Sequence, residues 1–223
     1  MSQKIKEIPS YQQQKDKMNK QFELKLPADI KVLLDSDADQ LALNFKKPLK
    51  LEKGNKAPLF ELPNATGRFI RLAELLKQGS VVLVFYRGNW CPYCNLELRS
   101  YQMILNQIKE KGATLVAISA QTADQSMTMK EKNELQFEVL SDAHNEVSRK
   151  YTTIFKIGEV PIDTMKKMGV DFHSFYSDYS GNLPVPAVYV INQAGFVVFA
   201  GSKGGDYRER VEPSEILDAL DQL

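Results

Sequence analysis

The sequence predicts an α/β fold: a mixed central sheet with helices on both faces. Three observations carry that prediction. Val81 to Tyr86 runs apolar without alternation, the pattern of a strand covered on both sides. A strand, helix, strand, helix order starts there and needs a parallel βαβ unit. The chain then closes with two strands joined by a tight turn and a last helix, which needs an antiparallel ββα unit on the same sheet.

Residues 1–50 are charged and Gln-rich and lack sustained strand patterning, so they read as a helical extension with amphipathic helices over Tyr11–Phe22 and Ala28–Leu43. The main domain is expected over residues 51–223. From Gly54 to Gly67, Pro58 and Pro63 punctuate the stretches Leu59–Leu62 and Phe69–Leu72, a short strand or hairpin leading into that domain. After the Val81 strand, Cys91, Cys94, Leu98, Tyr101, Leu105 and Ile108 recur at spacings of three and four, which gives one core-facing stripe on a helix from Pro92 to about Lys111. Both cysteines head that stripe. Gly112 ends the helix, and Thr114–Ile118 is a second buried strand. Thr122–Glu134 reads as a helix, Phe137–Leu140 as a short strand and Asn145–Thr152 as another helix. Residues 155–184 form an irregular stretch rich in Met, Phe and Tyr, with one helix near Asp163–Met168. Pro186 precedes a strand at Ala187–Ile191, Asn192 to Gly195 turns the chain, and Phe196–Ala200 returns beside it. Glu212-Pro213 opens a final helix that carries Ile216, Leu217, Leu220 and Leu223 on one side.

With 223 residues, 43% hydrophobic and 26% charged, the chain suits one elaborated globular domain. Its 29 Lys and Arg offset 28 Asp and Glu, so no basic field exists to hold nucleic acid or an anionic membrane. No apolar run approaches the roughly 18 residues that span a bilayer. Met1 to Lys20 is polar, without the apolar segment of a secretory signal, which makes the cytoplasm the expected location. The two cysteines, Cys91 and Cys94, lie three apart, and in such a compartment that spacing points to redox or metal chemistry rather than a disulfide scaffold. Zinc would need further ligands, and His144 and His173 are not arranged as a pair; no metal or cofactor is expected.

The chemistry concentrates in Phe85-Tyr86-Arg87-Gly88-Asn89-Trp90-Cys91-Pro92-Tyr93-Cys94, at the carboxyl end of a parallel strand where a helix begins. Free N–H groups and the helix dipole favour an anion there, and a thiolate is one. Such settings lower a thiol from about 8.5 into the range of about 3.5 to 7.5. Arg87 adds positive charge if its side chain turns inward. Positions i and i+3 also let the two sulfurs form a disulfide.

The Cys-Pro-Tyr-Cys stretch after Trp90, with Val185-Pro186 before a strand, resembles thioredoxins and glutaredoxins, whose corresponding proline is cis and faces the cysteines. From Gly54 onward the chain more closely resembles the peroxiredoxin-like branch of the alkyl hydroperoxide reductase and thiol-specific antioxidant (AhpC/TSA) family: Ala57 to Leu62 is similar to its opening strand and Phe85 to Leu98 to its active-site segment. That resemblance implies a thioredoxin fold, a peroxidatic Cys94, a resolving Cys91 and a family glutamate at Glu97. It also implies departures: Arg87 stands where the family has proline, Cys91 where it has threonine, and Pro186 where it has its distant arginine. Arg87, Trp90, Pro92 and Pro186 are therefore expected to shape the site. Trp90 reads equally as packing, Glu97 and Arg99 as solvated helix residues, and Lys203–Arg210 as a solvated loop.

Three functions stay open. The first is a thiol peroxidase that acts on hydrogen peroxide or organic hydroperoxides through Cys94, forms a disulfide with Cys91, and is reduced by thioredoxin, glutaredoxin or glutathione. The second is a disulfide oxidoreductase in which Cys91, outermost on the stripe and better exposed, leads. The third is a redox-sensing module without turnover. A homodimer through an edge strand or the extension is compatible with all three.

Overall fold

The computed structural model describes Ile8 and residues 10–223; residues 1–7 and Pro9, part of the extension expected over residues 1–50, lie outside the described residues. Two helices, α1 (Tyr11–Lys25) and α2 (Ala28–Asn44), precede a small antiparallel hairpin of β1 (Glu61–Pro63) and β2 (Phe69–Arg71). The chain continues through α3 (Leu72–Gln78), β3 (Ser80–Phe85), α4 (Pro92–Met103), α5 (Leu105–Glu110), β4 (Ala113–Ser119), α6 (Ala123–Lys132) and β5 (Glu138–Ser141). Then come α7 (Ser148–Tyr151), β6 (Ile154–Lys156), α8 (Glu159–Lys167), β7 (Asn182–Pro184), β8 (Ala187–Ile191), β9 (Val197–Gly201) and α9 (Pro213–Leu220).

The central sheet has the order β5-β4-β3-β8-β9. β3 pairs in parallel with β4, with Val82 opposite Leu115 and Val84 opposite Ala117, and antiparallel with β8, with Val84 opposite Val188. This mixed sheet is the α/β architecture that the strand order demands. Because side chains alternate along a strand, Val82, Val84 and Tyr86 pack on one face against Cys94, Leu98 and Tyr101, while Val81, Leu83 and Phe85 pack on the other against Leu62, Ile70 and Tyr151. Each fully buried aliphatic of this kind contributes about 1.5–3 kcal/mol of hydrophobic stabilisation. That two-sided burial is why β3 reads as an unbroken apolar run.

A third cluster docks the extension: Ala38 and Leu41 of α2 pack with Phe155, Phe172, Val185 and Tyr207. The approach is close enough that a Cβ on Gly205 would stand 2.0 Å from the Leu41 carbonyl, so only glycine fits there. On the other side Glu212 holds α1. Its carboxylate accepts from the Tyr11 and Gln12 backbone N–H groups at 2.7 and 2.9 Å and also takes part in the capping box that opens α9.

Several elements differ from the sequence expectation. The helix expected from Pro92 to Lys111 breaks at Ile104, whose backbone (φ −100°, ψ 5°) leaves the helix and turns Leu105 and Ile108 onto the core. The helix expected at Asn145–Thr152 shortens to α7, because Asn145 has φ +56° and the Asp142 carboxylate caps the start through the Val147 and Ser148 N–H groups. α3 was not anticipated. The irregular stretch 155–184 holds a two-stranded ladder, β6 with β7, whose three-residue strands are too short to show a period. Among the described residues no helix is long and apolar enough to cross a membrane.

Candidate active site

Cys91 is the N-cap residue of α4, Pro92 occupies the first helical position, and Cys94 follows one turn in. Polar side chains pin the loop that carries them. The Asn89 N–H donates to Gln121 Oε1 at 2.7 Å, Gln121 Nε2 returns a bond to Asn89 Oδ1 at 3.1 Å, and Asn95 Nδ2 donates to the Asn89 and Cys91 carbonyls, both at 2.7 Å. The indole of Trp90 donates from Nε1 to Tyr176 Oη at 2.8 Å, and that hydroxyl donates to the Arg87 carbonyl at 2.9 Å. Gly88 lies under the indole, where a Cβ would come within 2.5 Å of Trp90 Nε1.

Neither cysteine is exposed: Cys91 retains 1% of its accessible surface and Cys94 none. Cys91, expected to be the outer and better exposed of the two, is the outer one, but both are buried because α1, α2 and α8 roof the helix start. Cys91 does line a cavity of about 560 Å³ under that roof, together with Arg87, Trp90 and Pro92, and Cys94 sits behind it in the core. Pro186 does not line this cavity. It is trans, there being no cis peptide among the described residues, and its carbonyl accepts from Ser202 Oγ at 2.8 Å. The cis geometry implied by the thioredoxin resemblance is absent.

Two buried guanidiniums flank the sulfurs. Arg87 turns inward and lies over the Tyr207 ring at 4.0 Å and the Trp90 ring at 4.9 Å. Arg210, which the sequence placed in a solvated loop, is only 3% exposed. Its Nη2 donates to Cys94 Sγ at 3.2 Å, and its Nε donates to Glu97 Oε2 at 2.7 Å. Glu97 is thus no solvated helix residue but half of a buried ion pair, with Tyr101 Oη also donating to it at 3.3 Å. The guanidinium on Cys94 thus comes from the loop before α9 and not from the position of Pro186. Its only sequence signal is its place two residues ahead of the Glu212 cap, in a run whose Tyr207 and Val211 are apolar enough to be buried.

Electrostatics then favour one negative charge across the sulfur pair. Burial works against a Cys91 thiolate, yet the Cys94 thiol hydrogen-bonded to it and the charges of Arg87 and Arg210 outweigh burial and bring the Cys91 thiol down to about 6. Cys94 moves the other way: burial raises it, and so do its hydrogen bond to Cys91 and the Cys91 charge. The two thiols titrate as a pair. Burial also pushes Glu97 up to about 7, although Arg210 pulls it down. A low, cavity-facing thiol with a second thiol in contact can attack an electrophile and then close a disulfide.

Comparison with known proteins agrees with this geometry. A Coxiella burnetii protein of the peroxiredoxin bcp type is 32% identical over 103 residues, covering 46% of this chain and 68% of its own. The chloroplastic peroxiredoxin Q of japonica rice is 29% identical over 150 residues, 67% of this chain, and the match spans 58% of the rice protein's length. The crystal structure of peroxidoxin BcpB from Mycobacterium tuberculosis superposes with a TM-score of 0.59 at 23% identity, covering 78% of this chain and 98% of the other, which shows the shared thioredoxin-type fold. The AhpC/TSA family profile matches residues 53–200, from the turn before β1 through β9 and over both cysteines. The chain belongs to the AhpC/TSA family.

Proposed function

We propose that the protein is a thiol-dependent peroxidase that reduces hydrogen peroxide or organic hydroperoxides through Cys91 and Cys94. One observation carries this: Cys91, lowered to about 6 between two guanidiniums, faces the cavity while Cys94 hydrogen-bonds to it from the core. Family membership and the peroxiredoxin names of its relatives support it. In this reading the Cys91 thiolate attacks one peroxide oxygen, the O–O bond breaks, and the departing oxygen leaves as water or an alcohol after taking a proton. The Cys91 sulfenic acid then condenses with Cys94, water leaves, and a disulfide forms. An external thiol reduces it, with Arg210 positioned to receive the Cys94 thiolate. Residues 51–223 form the catalytic unit, and the described part of the extension expected over residues 1–50 roofs it with α1 and α2.

This order exchanges the roles implied by the family resemblance, in which Cys94 attacks and Cys91 resolves. The Arg210 contact with Cys94 favours that second order, since a guanidinium beside a sulfur stabilises its thiolate. Two serine variants separate them. If Cys91 leads, Cys94→Ser accumulates a dimedone-trappable sulfenic acid under peroxide and Cys91→Ser stays inert; if Cys94 leads, the outcomes swap. Absence of sustained peroxide consumption with any thiol reductant, alongside rapid exchange with disulfides, would instead identify a disulfide oxidoreductase.

A further inference from the structure

Of the two sulfurs, one has a placement that the helix by itself does not fix. Cys94 lies inside α4, whereas Cys91 is the half-helical N-cap residue and is followed by Pro92, which has no N–H to give. The Cys91 backbone makes two bonds to other backbone groups: its N–H donates to the Gly88 carbonyl at 3.2 Å, and its carbonyl accepts from the Asn95 N–H at 3.1 Å. A ladder of side-chain amides supplies the rest. Asn95 Nδ2 spans the Asn89 and Cys91 carbonyls at 2.7 Å each, and Asn133 Nδ2, at the end of α6, donates to Asn95 Oδ1 at 2.8 Å, which keeps that amide from turning over. At the far end Gln121 Oε1 holds the Asn89 N–H at 2.7 Å. All four side chains are buried, and the ladder is not free of cost, since Asn133 Oδ1 is buried without a partner among the described residues. Apolar side chains of the same shape would join α4 to α6 without that orphan; what the amides add is a single fixed geometry.

We propose that Asn95, braced by Asn133, is the positioning residue of the cysteine pair: by pinning the Cys91 carbonyl it keeps Cys91 Sγ within reach of Cys94 and thereby sets the reduction potential of the Cys91–Cys94 couple. The inference rests on the peroxidase reading only in taking that disulfide as the oxidised state of turnover. On closure an S–S bond forms, and the two thiols give two electrons and two protons to the oxidant. The equilibrium depends on the effective concentration of one thiol at the other, which is high when the loop is held and falls when it is loose. A Cys91 that is already pinned loses little freedom as the bond closes, so the ladder favours the disulfide and lowers the potential. None of the ladder's hydrogen bonds ends on a sulfur, so it acts on the couple through geometry.

The test uses full-length protein and no peroxide. Diamide forms the disulfide, taking the two electrons and two protons as it becomes the hydrazine; the protein is then equilibrated near neutral pH in buffers of reduced and oxidised dithiothreitol or glutathione, quenched by alkylation and read by intact mass. Asn95→Ala should lower the equilibrium constant for disulfide formation about tenfold, a rise of about 30 mV in the potential. Asn133→Ala, which leaves both carbonyl bonds but frees the Asn95 amide to turn, should lower it severalfold. Ser126→Ala is the control: it removes a buried bond from α6 to Ser141 of β5 at 2.9 Å without touching the ladder, and the potential should stay at the native value. A purely structural role for Asn95 would weaken the reduced and oxidised forms alike and leave all three potentials unchanged; that result, or a lower potential in Asn95→Ala, would overturn the proposal. Should Asn95→Ala not fold, Asn133→Ala carries the same test, and an unchanged potential there overturns the proposal equally. So does native protein in which diamide closes no Cys91–Cys94 disulfide. Failure of the peroxidase reading shows separately, as reduced protein that forms this disulfide with diamide yet does not consume peroxide.

Discussion

Arg210 Nη2 lies 3.2 Å from Cys94 Sγ, and the same guanidinium is anchored through Nε on Glu97 at 2.7 Å. An arginine from the loop before the last helix thus reaches the inner sulfur of a motif more than a hundred positions earlier, and a carboxylate one turn further along α4 holds it there. Both side chains of the ion pair are 1% exposed.

Glu97→Gln should therefore be strongly destabilising. It leaves the Arg210 charge buried without its carboxylate, and breaking a buried pair from one side costs about 3–5 kcal/mol. Urea unfolding of the reduced protein should show a lower midpoint with little change in slope.

The rate of Cys91 alkylation by iodoacetamide should rise with pH through a midpoint near 6 and level off above it, since the thiolate is the nucleophile. Cys94→Ala removes a hydrogen bond that stabilises that thiolate, so the midpoint should move upward. A native profile centred above 8 would contradict the charge balance described for the pair.

Tyr176→Phe removes the acceptor of the Trp90 indole and the donor to the Arg87 carbonyl. Loss of these bonds should cost about 1–3 kcal/mol and shift tryptophan emission to longer wavelength. Gly88→Ala should change the same emission more, because its Cβ would force the indole aside.

Glu212→Ala removes the carboxylate that caps both α1 and α9. A destabilisation of about 1–2 kcal/mol is expected. Hydrogen exchange should speed up across Tyr11–Lys25 while the β3 amides keep their protection.

The central architecture was legible in the sequence because its signals are long or chemically specific. β3, β4, β8 and β9 fall within a residue or two of their expected places; α9 starts where expected but ends at Leu220, leaving Leu223 exposed rather than on its apolar side; and the stripe from Cys91 to Ile108 does face the core, although the helix carrying it breaks at Ile104. The place of both cysteines followed from the strand-to-helix position, whereas that position left open which way Arg87 turns. What stayed hidden depends on chain segments meeting in space. Glu97 and Arg210 each read as surface charges, since nothing local says that one neutralises the other. The two N-terminal helices read as an appendage because their apolar residues are few. It took Tyr11, Ala38 and Leu41, buried against the loop before α9 and the stretch around Phe155, to show them as a roof. Pro186 failed for the opposite reason: a dipeptide motif suggested a backbone geometry that only its surroundings decide.

Arg210 and Glu212 sit two positions apart on one short piece of chain, the first supporting the inner sulfur and the second clasping the start of the roof. One stretch of backbone therefore carries both the tether of α1 and the guanidinium on Cys94, so a substitution that displaces this segment is expected to disturb both at once.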